Sequence, residues 1–162
     1  MAEKEKTLEE FKVEYNKIQK KHSLPSFDEL NKDFFIEKLH ESETDFLIRE
    51  VRKMVAERIY NSLRVIETFL NPSNAPMFVF SMVKTFTEKE KKMLTDIYKE
   101  LARNEVELIK LDLEYSEEKE AAFINNSFKI WKKASKELLE VIKTVEKNWD
   151  NKTESSGKGY FG

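Results

Sequence analysis

Leu111-Asp112-Leu113-Glu114-Tyr115-Ser116-Glu117-Glu118-Lys119-Glu120-Ala121 is the stretch whose reading decides the fold. Upstream of it, Leu94, Ile97, Leu101, Asn104, Leu108, Leu111 and Tyr115 form a heptad-like series. Downstream, Ala121, Ile124, Phe128, Trp131, Ser135, Leu138, Ile142, Val145 and Trp149 alternate between two short spacings, the period of an amphipathic helix. The two series are out of phase across the junction. Ser116 followed by Glu117 and Glu118 has the form of an N-cap with an acidic first turn, which starts a new helix. The spacing predicts an antiparallel helical hairpin turning near 115–117. One continuous helix is the alternative, because no Gly or Pro interrupts the junction.

The same chemistry extends outward. Thr87 with Glu90 makes a capping box at the start of the upstream helix. Before it, Met77 to Phe86 is apolar but short, either a brief helix or a buried crossing segment, and Asn71-Pro72-Ser73-Asn74-Ala75-Pro76 reads as a loop. Glu41-Ser42-Glu43-Thr44-Asp45 is expected to open a helix reaching Leu70, on which Leu47, Ile48, Val51, Met54, Val55, Ile59, Ile66 and Phe69 share a sector. Arg58 projects near the middle of that sector. Ser26 with Glu29 caps a short helix bearing Leu30, Phe34 and Phe35. Leu8, Phe11, Tyr15 and Ile18 stripe a first helix that starts at Thr7 and ends before Leu24-Pro25. The class is all-α: a bundle of about five helices with a long C-terminal hairpin. Residues 1–149 form one domain and 150–162 a flexible tail.

Composition narrows function mainly by exclusion. The 162 residues hold 29 Lys plus Arg against 31 Asp plus Glu, so net charge is only -2 although 37% of residues are charged. All three glycines, Gly157, Gly159 and Gly162, follow residue 156. Glycine-rich phosphate loops, nucleophile elbows and EF-hand loops, which need glycine for positive φ or close backbone approach, are excluded before that point. With no cysteine there are no disulfides or thiolate metal sites. The charged N-terminus lacks the apolar core of a signal peptide. Pro76 to Val83 is far shorter than the roughly 20 residues a bilayer requires. The chain reads as soluble, intracellular and cytoplasmic.

Glu37-Lys38-Leu39-His40 has metal-ligand spacing, but a di-iron bundle needs a second such pair, and His22 is the only other histidine. No nucleophile stands with a base and an orienting group. No catalytic residue, cofactor or metal is expected, and the chain reads as a non-enzyme. Asn104 and Ser135 occupy seam positions, where polar residues fix register or partner choice. Arg58 either meets a carboxylate, with Glu105 and Asp112 as candidates, or runs its stem out to water.

Protein partners are the remaining class. Arg58, Met77, Phe78, Phe80 and Trp149 are candidate contact residues, since aromatics, Met and Arg are enriched at interface centres. The 121–149 seam is a candidate for self-association. The rival reading is a nucleic-acid-associated protein using Arg49, Arg52, Lys129, Lys132, Lys133 and Lys136 as basic faces, although such binding usually shows a net basic excess.

The order of features in residues 8–113 resembles the helical domain of archaeal-type GINS replication proteins. The match runs from Leu24-Pro25-Ser26-Phe27-Asp28 through Ile48-Arg49-Glu50-Val51-Arg52 to Phe86-Thr87-Glu88-Lys89-Glu90. The resemblance implies a non-catalytic subunit bridging replisome proteins. Family members usually carry a small β-rich domain, whereas residues 116–149 here are another helix. Tyr160-Phe161, near the C-terminal end of the sequence, is similar to the close of a sliding-clamp-binding box, with Glu154 and Gly157 where that motif has glutamine and an aliphatic residue.

Overall fold

The computed structural model describes residues 6–155. Among them are six α-helices and no strand: α1 (Leu8–His22), α2 (Phe27–Phe34), α3 (Leu47–Leu70), α4 (Met77–Val83), α5 (Glu88–Leu113) and α6 (Glu117–Ser155). Two 3-10 turns, Ile36–Glu41 and Pro72–Asn74, link α2 to α3 and α3 to α4. The apolar segment after the loop is the brief helix, α4, and the all-α bundle of about five helices expected has six α-helices among the described residues.

Helix starts follow the capping chemistry. The Thr7 N–H donates to the Glu10 carboxylate at 2.9 Å, and the Thr7 hydroxyl accepts the Glu10 N–H at 3.3 Å. Ser26 and Glu29 repeat the exchange at 3.0 and 3.3 Å. At α5, both the N–H and the hydroxyl of Thr87 donate to Glu90. Bonds from Ser26 and from Thr87 hold the Glu29 and Glu90 carboxyls below their ordinary range.

α3 departs from expectation. It begins at Leu47, so the acidic residues 41–45 precede the helix instead of opening it. The Thr44 hydroxyl accepts the Phe46 N–H at 3.0 Å, a local side-chain bond that competes with a helical turn. At the other ends, α1 closes on Ser23 (φ 52°) and α2 on Phe35 (φ 54°), both left-handed. Glycine usually fills such C-terminal positions. A chain without internal glycine uses serine and phenylalanine there.

The body is a bundle of three helices, each packed on the other two. α5 and α6 form the antiparallel hairpin, turning at residues 114–116. Its direction is fixed by Lys119 on Glu114, Ser127 on Asn104 and Lys133 on Glu100. α3 packs against both, antiparallel to α5, with Arg52 reaching Asp112 at one end and the Phe69 and Phe86 rings 5.7 Å apart at the other. α1 and α2 cover a side of this bundle. Phe27 meets Phe11 and Tyr15 in T-shaped ring pairs, and the Tyr15 hydroxyl donates to the Pro25 carbonyl at 2.7 Å. Burial, with the nearby Glu29 charge second, pushes that phenol well above its ordinary range. Lys21 and His22, at the end of α1, meet Glu117 at 2.9 Å, and these bonds hold the Glu117 carboxyl low.

α6 has 39 residues against 26 in α5, an excess of about 20 Å at the helical rise. α4 packs beside the overhang: Val79 and Val145 are buried, and Lys152 Nζ donates to the Lys84 carbonyl at 3.4 Å. The helix continues through Asp150 to Ser155, so the segment expected to be a tail is helical at its start. Nothing in 150–155 breaks a helix; the first glycine comes at 157. Tyr160 and Phe161 lie outside the described residues.

Candidate interaction surfaces

The buried arginine of α3 is Arg52. It lies on the stripe Arg52, Ala56, Ile59, Leu63, Ile66, which runs at heptad spacing. Its partner, Glu120, lies on an equivalent α6 stripe with Ile124, Ser127, Trp131, Ala134, Val141 and Val145. Arg52 is 7% exposed and Glu120 not at all. Arg52 Nε donates to Glu120 Oε2 at 2.7 Å, and Nη2 donates to Asp112 Oδ1 at 3.0 Å. Arg49 Nε stands 3.7 Å from Glu120 Oε1, and its guanidinium lies 4.2 Å from the Tyr115 ring centroid. Glu120 thus bonds the Arg52 guanidinium inside the bundle with the half-exposed Arg49 guanidinium close by, and α3, α5 and α6 are tied at one level. Charges removed from water this far need such partners.

This arrangement corrects one expectation, for Arg52, and decides between the two alternatives for Arg58. Arg52 belongs to no exposed basic face, because its charge is spent on Glu120 and Asp112. Arg58 is exposed, with its guanidinium 5.4 Å from the Trp131 ring centroid, so its stem leads out to water and neither candidate carboxylate meets it. Asp112 pairs with Arg52 instead. Glu105 is half-buried with one oxygen unpartnered, and burial pushes its carboxyl up. Asn104 is buried as its seam position implied, but it accepts from Ser127 at 2.9 Å, while Ser135 is only half-buried.

The remaining basic residues divide. Lys132 sits 3.6 Å from Glu29 and over the Phe128 ring. Lys133 donates to Glu100 at 2.6 Å, which holds its ammonium above the ordinary range. Lys129 and Lys136 are exposed.

The apolar candidates gather at the α4 end. Met77 is 77% exposed and Phe78 59%, while Val79 between Phe78 and Phe80 faces the core. Phe80 and Trp149 are half-buried. Met82 of α4 and Ile142, Val145 and Trp149 of α6 line a groove of about 320 Å³. The structure therefore brings Met77, Phe78, Phe80 and Trp149 to one end of the bundle and leaves Arg58 apart from them. A further apolar stripe, Val106, Ile109 and Leu113, is exposed along α5 by 52%, 61% and 81%. Its heptad spacing is visible in the sequence, but the stronger buried seam on the same helix masks it.

Glu37 and His40 do not converge. Asn31 donates to Glu37 at 2.9 Å, and His40 Nδ1 faces the Glu37 carbonyl. Among the described residues no group of three His, Cys, Asp or Glu side chains is placed to hold a metal ion, and no helix is long and apolar enough to cross a membrane. The chain matches no protein-family model, no curated protein and no solved structure.

Proposed function

We propose that this chain is a non-catalytic scaffold that works in the cytoplasm by docking another protein on its α4 end. The observation that carries the reading is the exposure of Met77 and Phe78, side by side on a short helix beside the Met82–Trp149 groove. Large apolar side chains grouped at one end of a soluble bundle mark contact sites more often than scattered ones do. The likeness of residues 8–113 to the GINS helical domain directs the search for that partner toward a replication assembly.

The test compares affinity purification of the wild-type chain with a Met77→Asp/Phe78→Asp variant from the same cells. The expected result is loss of one defined set of partners, with helical content and thermal midpoint unchanged. An identical set retained by both proteins would overturn the reading. The nucleic-acid alternative has lost Arg52 to the interior and has Arg49, Lys132 and Lys133 beside carboxylates. It would be revived by DNA affinity that falls steeply with salt.

A further inference from the structure

The stripe Ala102, Val106, Ile109, Leu113 runs along α5 for about 17 Å, and its last three members are the exposed ones. At about 100° per residue, Glu105 lies on one flank of this stripe and Arg103 and Lys110 on the other. An apolar stripe with one acidic and one basic flank is half of a two-stranded coiled coil. The charges decide which way the second strand runs. In an antiparallel pair, Glu105 would face the partner's Asp112, and Arg103 would face the partner's Lys110, so like charges meet on both sides. In a parallel pair, Glu105 faces the partner's Lys110, and the two-fold axis repeats that contact.

We propose that the exposed face of α5 is a self-association surface, on which a second copy of this chain packs its α5 in parallel, with Glu105 opposite the partner's Lys110. Among the described residues no cation meets Glu105, which is half-buried, and burial pushes its carboxyl up. Lys110 is free to exchange partners, because it is well exposed and its 2.8 Å contact with Glu107 is an ion pair within one helical turn, of the weak surface kind. The stripe is three turns long and smaller than the roughly 800 Å² per partner of a standard stable interface, so the association is weak and reversible. It is also distinct from the seam expected to self-associate. The buried part of 121–149 is turned inward against α3 and α5, whereas this stripe lies on the neighbouring helix.

Sedimentation equilibrium of the full chain, from micromolar to millimolar concentration, tests the proposal. The wild type should move from 19.3 kDa toward twice that mass, and Leu113→Asp should remain monomeric. Lys110→Glu and Glu105→Lys should each weaken association about tenfold, as two exposed pairs become repulsive. The double variant Glu105→Lys/Lys110→Glu should restore it. Lys110 is at the surface, so its variant reads the contact even if Glu105→Lys disturbs packing. A wild type that stays monomeric throughout overturns the proposal, as does association indifferent to Leu113→Asp. Strengthening by Glu105→Lys alone would show antiparallel pairing and overturn it equally.

Discussion

Arg52 Nε of α3 lies 2.7 Å from Glu120 Oε2 of α6, a buried contact between residues 68 positions apart in the chain. Removing either partner takes from the remaining buried charge its nearest counter-charge, leaving Arg52 with the exposed Asp112 or Glu120 with Arg49 at 3.7 Å. Glu120→Gln or Arg52→Met should each cost about 2–4 kcal/mol, somewhat less than a fully stranded charge. Replacing both, as Arg52→Met/Glu120→Leu, should recover most of that loss. Urea midpoints of the three variants check this, and a double variant no better than the singles would mean that Asp112 and Arg49 hold the site independently.

Ser127 and Asn104 form the second polar layer, where a buried hydroxyl donates to a buried carboxamide. Ser127→Ala leaves the Asn104 oxygen without a partner and should destabilise by about 1–3 kcal/mol. Adding Asn104→Leu should return much of it, since an apolar pair in the same place leaves no group unsatisfied. Denaturant titration of the single and double variants measures the difference.

Glu105 sets a pH dependence of definite sign. Burial raises its carboxyl above the ordinary value of 4.5, so the folded state holds this proton more tightly than the unfolded state. Below 4.5 both states are protonated and the site has no effect. As pH rises from 4.5 through the raised folded value, the unfolded state ionises first and stability falls. Glu105→Gln should therefore have the higher thermal midpoint above that window and match the wild type below it. Melting curves on both sides of pH 4.5 decide the point, and a constant offset at every pH would show a packing effect instead.

Ser23 holds a left-handed conformation at the end of α1 (φ 52°). A residue with a Cβ is strained there by about 1–2 kcal/mol, while glycine is not. Ser23→Gly should raise stability by up to about 1 kcal/mol, the relief less the extra freedom of glycine in the unfolded chain. A higher urea midpoint at unchanged slope is the expected reading.

Much of the frame was legible because capping is local. Ser26 with Glu29, Thr87 with Glu90, and Ser116 before two glutamates each fix a helix start within four residues, and the hairpin follows from the last of these. The start of α3 was misread because Thr44 favours a competing local turn, which charge pattern alone does not reveal. The buried pair was missed for a different reason. Apolar residues define a helix face well when one neighbour covers it, but α3 has two, α5 and α6, which widen and rotate the buried sector. That rotation brings in Arg52, Ala56 and Leu63 and leaves Arg58 outside. On α6 the wider face takes in Glu120 and Ser127 beside the expected seam. Their polar identity hid a stripe whose heptad spacing was already in the sequence. The exposed residues of α4 were legible as apolar, but only packing shows which of Met77, Phe78 and Val79 turns inward.

The unequal lengths of α5 and α6 should divide the molecule into a larger, stiffer body and a smaller, more compliant end. Within the hairpin, α6 is braced on two sides and locked through Glu120. Past the start of α5 it is a cantilever steadied by a seven-residue strut, α4. Amide hydrogens in that outer third should exchange first and as one unit, leaving the ion-paired layer protected. A partner seated on Met77 and Phe78 would then grip the compliant end, and the deformation on docking would be taken up there and not in the body.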